Sequence, residues 1–130
     1  MAPPFMLVSN FKVKDGSVEN LRDHARSVTE LMQAKEPRII AFHSFLSEDE
    51  GEVSTIHLHP DVASMELHMQ LQRDNWEETF SGIATMLEGV RVDFYGAKPP
   101  ESALENFRRA GSEIGIKPTH LAGFTRAGTT

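Results

Sequence analysis

The sequence predicts an α+β fold with the element order strand, helix, strand, strand, helix, strand, followed by a C-terminal extension. Two observations carry this expectation: β-rich segments alternate with segments of helical periodicity in that order, and 130 residues suffice for one hydrophobic core but not for two. A third observation, apolar residues at strand positions of both parities, extends the expectation from a monomer to a dimer.

The first strand is read over 5–13, where Phe5, Met6, Leu7, Val8, Phe11 and Val13 are β-formers and Asp15-Gly16 supplies turn chemistry. Ser17 is a plausible N-cap for a helix whose stripe is Val18, Leu21, Ala25, Val28 and Met32, and Pro37 sets its end. The segments 39–46 and 53–59 read as a hairpin closed by the polar stretch Ser47-Glu48-Asp49-Glu50-Gly51. Pro60 and Asp61 suit the first turn of a second helix, periodic over 62–72 and interrupted by Arg73-Asp74-Asn75. The helix resumes through Trp76, Phe80, Ile83 and Leu87, and Gly89 is expected to stop it. A fourth strand over 90–95 follows, and beyond Pro99-Pro100 the chain reads as a short helix near 103–110 and then glycine-rich irregular chain.

Two right-handed crossovers interleaved in this order define the ferredoxin-like βαββαβ arrangement, an antiparallel sheet with both helices on one face. The other face would be bare yet apolar, so a homodimer through the sheets is expected. The domain division is 1–98 for the ferredoxin-like unit and 99–130 for an extension docking on its own or the partner subunit. Residues 1–106 carry 9 Lys and Arg against 18 Asp and Glu, whereas 107–130 carry 4 against 1, which makes the tail a basic strap on an acidic body.

The remaining composition narrows the function. Without cysteine there is no disulfide, thiolate nucleophile or zinc-thiolate site. A net charge of −6 and no nucleic-acid motif argue against nucleic acid. No run approaches the roughly 18 apolar residues of a membrane span, and Met1-Ala2-Pro3-Pro4 has no signal-peptide character, so a cytoplasmic protein with no membrane partner is expected. Phosphate-loop, dinucleotide, G-x-S-x-G and H-E-x-x-H motifs are absent, and no cofactor and no metal are expected.

Asn10-Phe11-Lys12-Val13-Lys14-Asp15-Gly16 is similar to the F-x-V-K-x-G join of one family, and Ala63-Ser64-Met65-Glu66-Leu67-His68-Met69 to its aliphatic-His-aliphatic helix. On these motifs and the element order, residues 5–97 resemble the antibiotic biosynthesis monooxygenase domain of the dimeric α/β-barrel superfamily. That family includes cofactor-independent oxygenases of quinols and aromatic polyketides, haem-degrading enzymes and proteins with no known activity. The resemblance implies a small electron-rich aromatic, such as a quinol or phenol, as substrate. Ser9 or Asn10 would stand at the family's first-strand amide, and His68 would border the ligand pocket.

His57 and His59 share a strand face, and a five-residue loop pairing Leu46 with Glu52 would set His43 diagonally on it. Phe42, Ile40, Ile56 and Leu58 would then pack under the helices, leaving the imidazoles on the open or barrel-interior face. His43 or His57 is accordingly the candidate catalytic base, with Ser9, Asn10 and Tyr95 holding substrate oxygens and His68 and Trp76 lining the pocket. Each also has a plainer reading: a solvated strand end for His59, a hydrogen bond at the dimer seam for His57, a structural donor for His68, a core stripe for Trp76 and an exposed edge for Tyr95. The alternatives to an enzyme are a dimeric barrel that binds a small hydrophobic ligand without turnover, and a haem-binding protein.

Overall fold

Along Phe5–Val13, which forms β1, Phe5, Phe11 and Val13 are buried at alternate positions and mark the face that takes the helices. The computed structural model describes residues 3–126, so 1–2 and 127–130 of the expected termini lie outside the described residues. After β1 come α1 (Val18–Lys35), β2 (Ala41–Leu46), β3 (Glu52–His59), α2 (Val62–Asp74), a π-helical turn (Trp76–Phe80), α3 (Ile83–Met86), β4 (Leu87–Tyr95), α4 (Glu101–Arg109) and β5 (Glu113–Lys117). The strands lie in the order β2-β3-β1-β4-β5. The first four pair antiparallel, which is the ferredoxin-like arrangement, and β5 adds in parallel beside β4 to make the sheet mixed.

All helices pack on one sheet face. Met65 of α2 and Leu104 of α4 close over Phe5, Val92 and Phe94, while Leu21 of α1 and Met86 of α3 close over Phe11, Val13 and Val53. Val28 and Met32 of α1 meet Phe80 of the π turn, with Phe42 packed against them. Ser17 caps α1 by position only, with no side-chain hydrogen bond, whereas the Asp61 carboxylate accepts from the Ser64 amide and starts α2 directly after β3.

Three expectations are corrected. Gly89 does not stop a helix: the helical stretch ends at Met86, and Leu87 already begins β4. A Cβ at Gly89 would run into the Ala110 carbonyl and the Ser112 backbone, so glycine there lets the turn after α4 press on the strand. Secondly, the chain after α4 is not irregular throughout: 118–126 carry no helix or strand, but β5 places Ile114 and Ile116 against the Phe5, Val92 and Phe94 core.

The third correction is the hairpin register. Ser47 N donates to Glu52 O at 2.8 Å and Glu52 N donates to Ser47 Oγ at 2.9 Å, so the loop proper is one residue shorter than expected. Leu46 therefore pairs with Val53, Phe42 with His57 and His43 with Ile56. A one-residue slip exchanges the two faces of a strand. Phe42 joins His57 beneath the helices, while His43, Ile56 and Leu58 turn to the bare side.

Candidate functional site: a buried imidazole cluster

The register makes His57 and His59 interior residues: both lie on the helix-covered face of β3 and are buried. The start of α2 is tied to the same place. Its capping by Asp61 sets Ser64, Met65 and His68 inward, and Ser64 Oγ lies 2.9 Å from His59 Nδ1. Asp61 also takes an ion pair from Arg38, which fastens the segment leaving α1 to the beginning of α2. At the end of α1, Glu36 caps the helix through its backbone amide, which donates to Met32 O at 2.8 Å. Its carboxylate turns inward, is 1% exposed, and its Oε2 lies 2.8 Å from His68 Nδ1.

Three imidazoles thus meet, and one of them, His68, is held by a carboxylate. Ring centroids are 4.8 Å apart for His57 and His68 and 6.0 Å for each of the other two pairs. The edge of Phe42 closes on His57 at 4.9 Å. Burial holds His57 well below the ordinary histidine range, with the neighbouring His68 and His59 pushing the same way. Burial, then His68, lowers His59 to about 4. Both rings are therefore neutral at pH 7.

Glu36 Oε1, His57 Nδ1 and His59 Nε2 are buried without a hydrogen-bond partner. Buried polar groups are normally satisfied, so three orphans in one cluster mark a place where the fold bears a desolvation cost for something other than stability. A cleft of about 460 Å³ runs along the end of α1 and β2, and Glu36 and Phe42, which touch His68 and His57, form part of its wall. Among the described residues no group of three His, Asp or Glu side chains is placed to hold a metal ion.

The remaining candidates disperse. His43 pairs with Ile56, is exposed beside Phe45, and stands at the rim of the cleft beside β2 rather than in the buried cluster with His57. Asn10 lies on the bare sheet face and accepts a hydrogen bond from Ser54 Oγ. Tyr95 is half-buried there with the Lys117 ammonium 5.3 Å above its ring. Trp76, at the start of the π turn, is 41% exposed. Ser9 is buried on the helix face, two residues along β1 from Leu7, the strand partner of His57. Glu36 was missed from the sequence. The signal was there: a carboxylate at a helix C-terminus opposes the macrodipole and needs a compensating partner.

The architecture is that of a ferredoxin-like α+β domain, and solved structures that share it give the comparison its content. MupZ from Pseudomonas fluorescens is 14% identical, with 97% of this chain and 91% of that chain covered and a TM-score of 0.69. A putative antibiotic biosynthesis monooxygenase from Bacteroides thetaiotaomicron is 12% identical over 74% of this chain and 89% of that one, with a TM-score of 0.58. A further antibiotic biosynthesis monooxygenase is 20% identical over 73% and 99%, with a TM-score of 0.55. At these identities the likeness is one of fold. No family model and no curated protein matches the sequence. No helix is long and apolar enough to cross a membrane among the described residues.

Proposed function

We propose that this protein is a monooxygenase-like enzyme that needs no bound cofactor and acts on a small electron-rich aromatic such as a phenol or quinol. The observation that carries the reading is the Glu36–His68 pair beside two neutral imidazoles. A carboxylate on Nδ1 fixes the ring tautomer and leaves Nε2 to take a proton, the division of labour found in carboxylate-histidine catalytic pairs. His57, held neutral by burial, stands edge-on to His68 and, with Phe42, backs the pair on its inner side. In the reaction, His68 removes the phenolic proton, and the electron-rich anion reduces dioxygen. One oxygen atom is inserted at an activated ring carbon and the other leaves as water, the four electrons coming from the substrate. The fold shared with two solved structures named as antibiotic biosynthesis monooxygenases supports the reaction class, not the substrate. This replaces His43 and His57 with His68 as the base.

The same reading includes a homodimer through the bare sheet face. Met6, Val8, Ile56 and Leu58 there are only partly buried, and Phe45 of β2 is 58% exposed. Oxygen uptake with a panel of hydroquinones and hydroxylated polycyclic aromatics, in cofactor-free buffer, tests the enzyme. Substrate-dependent uptake by the intact protein that disappears in His68→Ala is expected. Tight binding of such aromatics with no uptake would replace it with a ligand-binding barrel, a reading favoured by the enclosure of His57.

A further inference from the structure

The extension divides into two parts that behave oppositely. Leu104, Phe107, Ile114 and Ile116 are packed into the chain's own core, yet every residue over 118–126 is exposed. Leu121 and Phe124 are 93% and 81% exposed, more than any other large apolar side chain among the described residues. A segment that projects two apolar anchors three positions apart, about 10 Å when extended, has the form of an arm rather than of a spacer. Arg126 lies over the Phe124 ring at 4.9 Å and adds a positive charge at the tip.

Across the molecule, at the opposite edge of the sheet, the cleft beside β2 has the complementary character. Met32, Ile39, Ile40 and Phe42 give it apolar walls, and Glu36 gives it a carboxylate. Its volume is about 460 Å³, and it is open to solvent along one side, so a docked segment could enter it. The two features do not meet within one chain: Leu121 and Phe124 stay 93% and 81% exposed. The order β2-β3-β1-β4-β5 sets the edges four strand spacings apart, about 19 Å, whereas Leu121, four residues past the end of β5, reaches at most about 14 Å.

We infer that residues 118–126 dock in the β2 cleft of a second copy of this chain, with Leu121 and Phe124 seated against Ile39, Ile40 and Phe42. The exchange is reciprocal, as a two-fold dimer requires, so each arm covers the cleft of the other protomer and closes it without leading to filaments. The positive tip meets an acidic body, whose residues 1–106 carry twice as many acidic as basic side chains. Because Glu36 and Phe42 wall the cleft and touch His68 and His57, the arm also forms the outer cover of the partner's imidazole cluster. The inference rests on the dimer proposed above.

The absence of cysteine makes the test clean. Gln33→Cys, on the cleft wall, and Leu121→Cys are made in separate chains, mixed, and treated with a short bis-maleimide. A covalent heterodimer between the two variants is expected, and Leu121→Ser/Phe124→Ser should raise the dimer dissociation constant at least tenfold. Light scattering of the unmodified protein showing only a species near 14.5 kDa would refute the dimer itself. A stable dimer with no Gln33–Leu121 cross-link, or one whose affinity is unchanged in the double-serine variant, would overturn the arm exchange alone.

Discussion

Glu36 and His68, 32 residues apart in the chain, are joined by a 2.8 Å contact between Oε2 and Nδ1 inside the protein. This contact locks the end of α1 to the middle of α2 and fixes which imidazole nitrogen is left for chemistry. Glu36→Ala would strip the ring of its acceptor in a buried place, a loss of about 1–3 kcal/mol. Glu36→Gln keeps an acceptor oxygen and should cost less. Urea denaturation of both, against Glu66→Ala on the exposed side of α2, measures the difference; equal midpoints for Glu36→Ala and Glu66→Ala would show that the pair contributes nothing to stability.

Stability should also depend on pH through the two rings of β3. In the folded protein His57 and His59 resist protonation, while in the unfolded chain each titrates near its ordinary value of 6.5. The unfolded state therefore binds more protons below that value, and stability falls as pH falls. The contribution is whole above about pH 6.5 and declines toward about 4, where His59 titrates in the folded state. For His59 the full loss is of the order of 3 kcal/mol, at 1.36 kcal/mol per unit. Melting curves between pH 7.5 and 4.5 should show His59→Asn to be less acid-sensitive than the parent. An identical pH slope in the two proteins would remove His59 from the account.

Catalysis should separate the two sheet faces. His68→Ala should lower turnover by roughly 10²- to 10⁴-fold, as loss of a general base does. His43→Ala should leave it within about twofold, because the observed register puts His43 opposite Ile56 on the bare face. A large loss in His43→Ala with activity retained in His68→Ala would reverse the assignment of the base.

That reversal of faces shows where the sequence stopped being informative. β1, α1, β3 and the first half of α2 were legible because their apolar spacing has one natural period and a clear punctuating residue at each end. The β2–β3 register was not, since it turns on whether Ser47 belongs to the loop or closes it, a choice made by its hydroxyl and amide against Glu52. The same uncertainty of one residue moved His43 away from His57 and brought Phe42 to it. The pair that defines the site was hidden for another reason: Glu36 and His68 belong to different helices, and only packing brings them together. β5 escaped notice because Glu113-Ile114-Gly115-Ile116-Lys117 is short and carries a glycine, a combination that ordinarily marks a loop.

Gly89 supplies the last test, since it lets the extension lie against the sheet. Its amide donates to Ala110 O at 2.8 Å, and a Cβ there would collide with backbone atoms of Ala110 and Ser112 that cannot swing aside as a side chain could. Gly89→Ala should therefore cost about 1–3 kcal/mol and lift the turn that joins α4 to β5, whereas Gly82→Ala, where only the flexible Met86 terminus is near, should be mild by comparison. Since Ile114 and Ile116 pack on the core through β5, that strand should become the first segment cut in limited proteolysis of Gly89→Ala. Should Gly89→Ala melt with Gly82→Ala and resist protease equally well, β5 would not owe its place beside β4 to the bare backbone at this position.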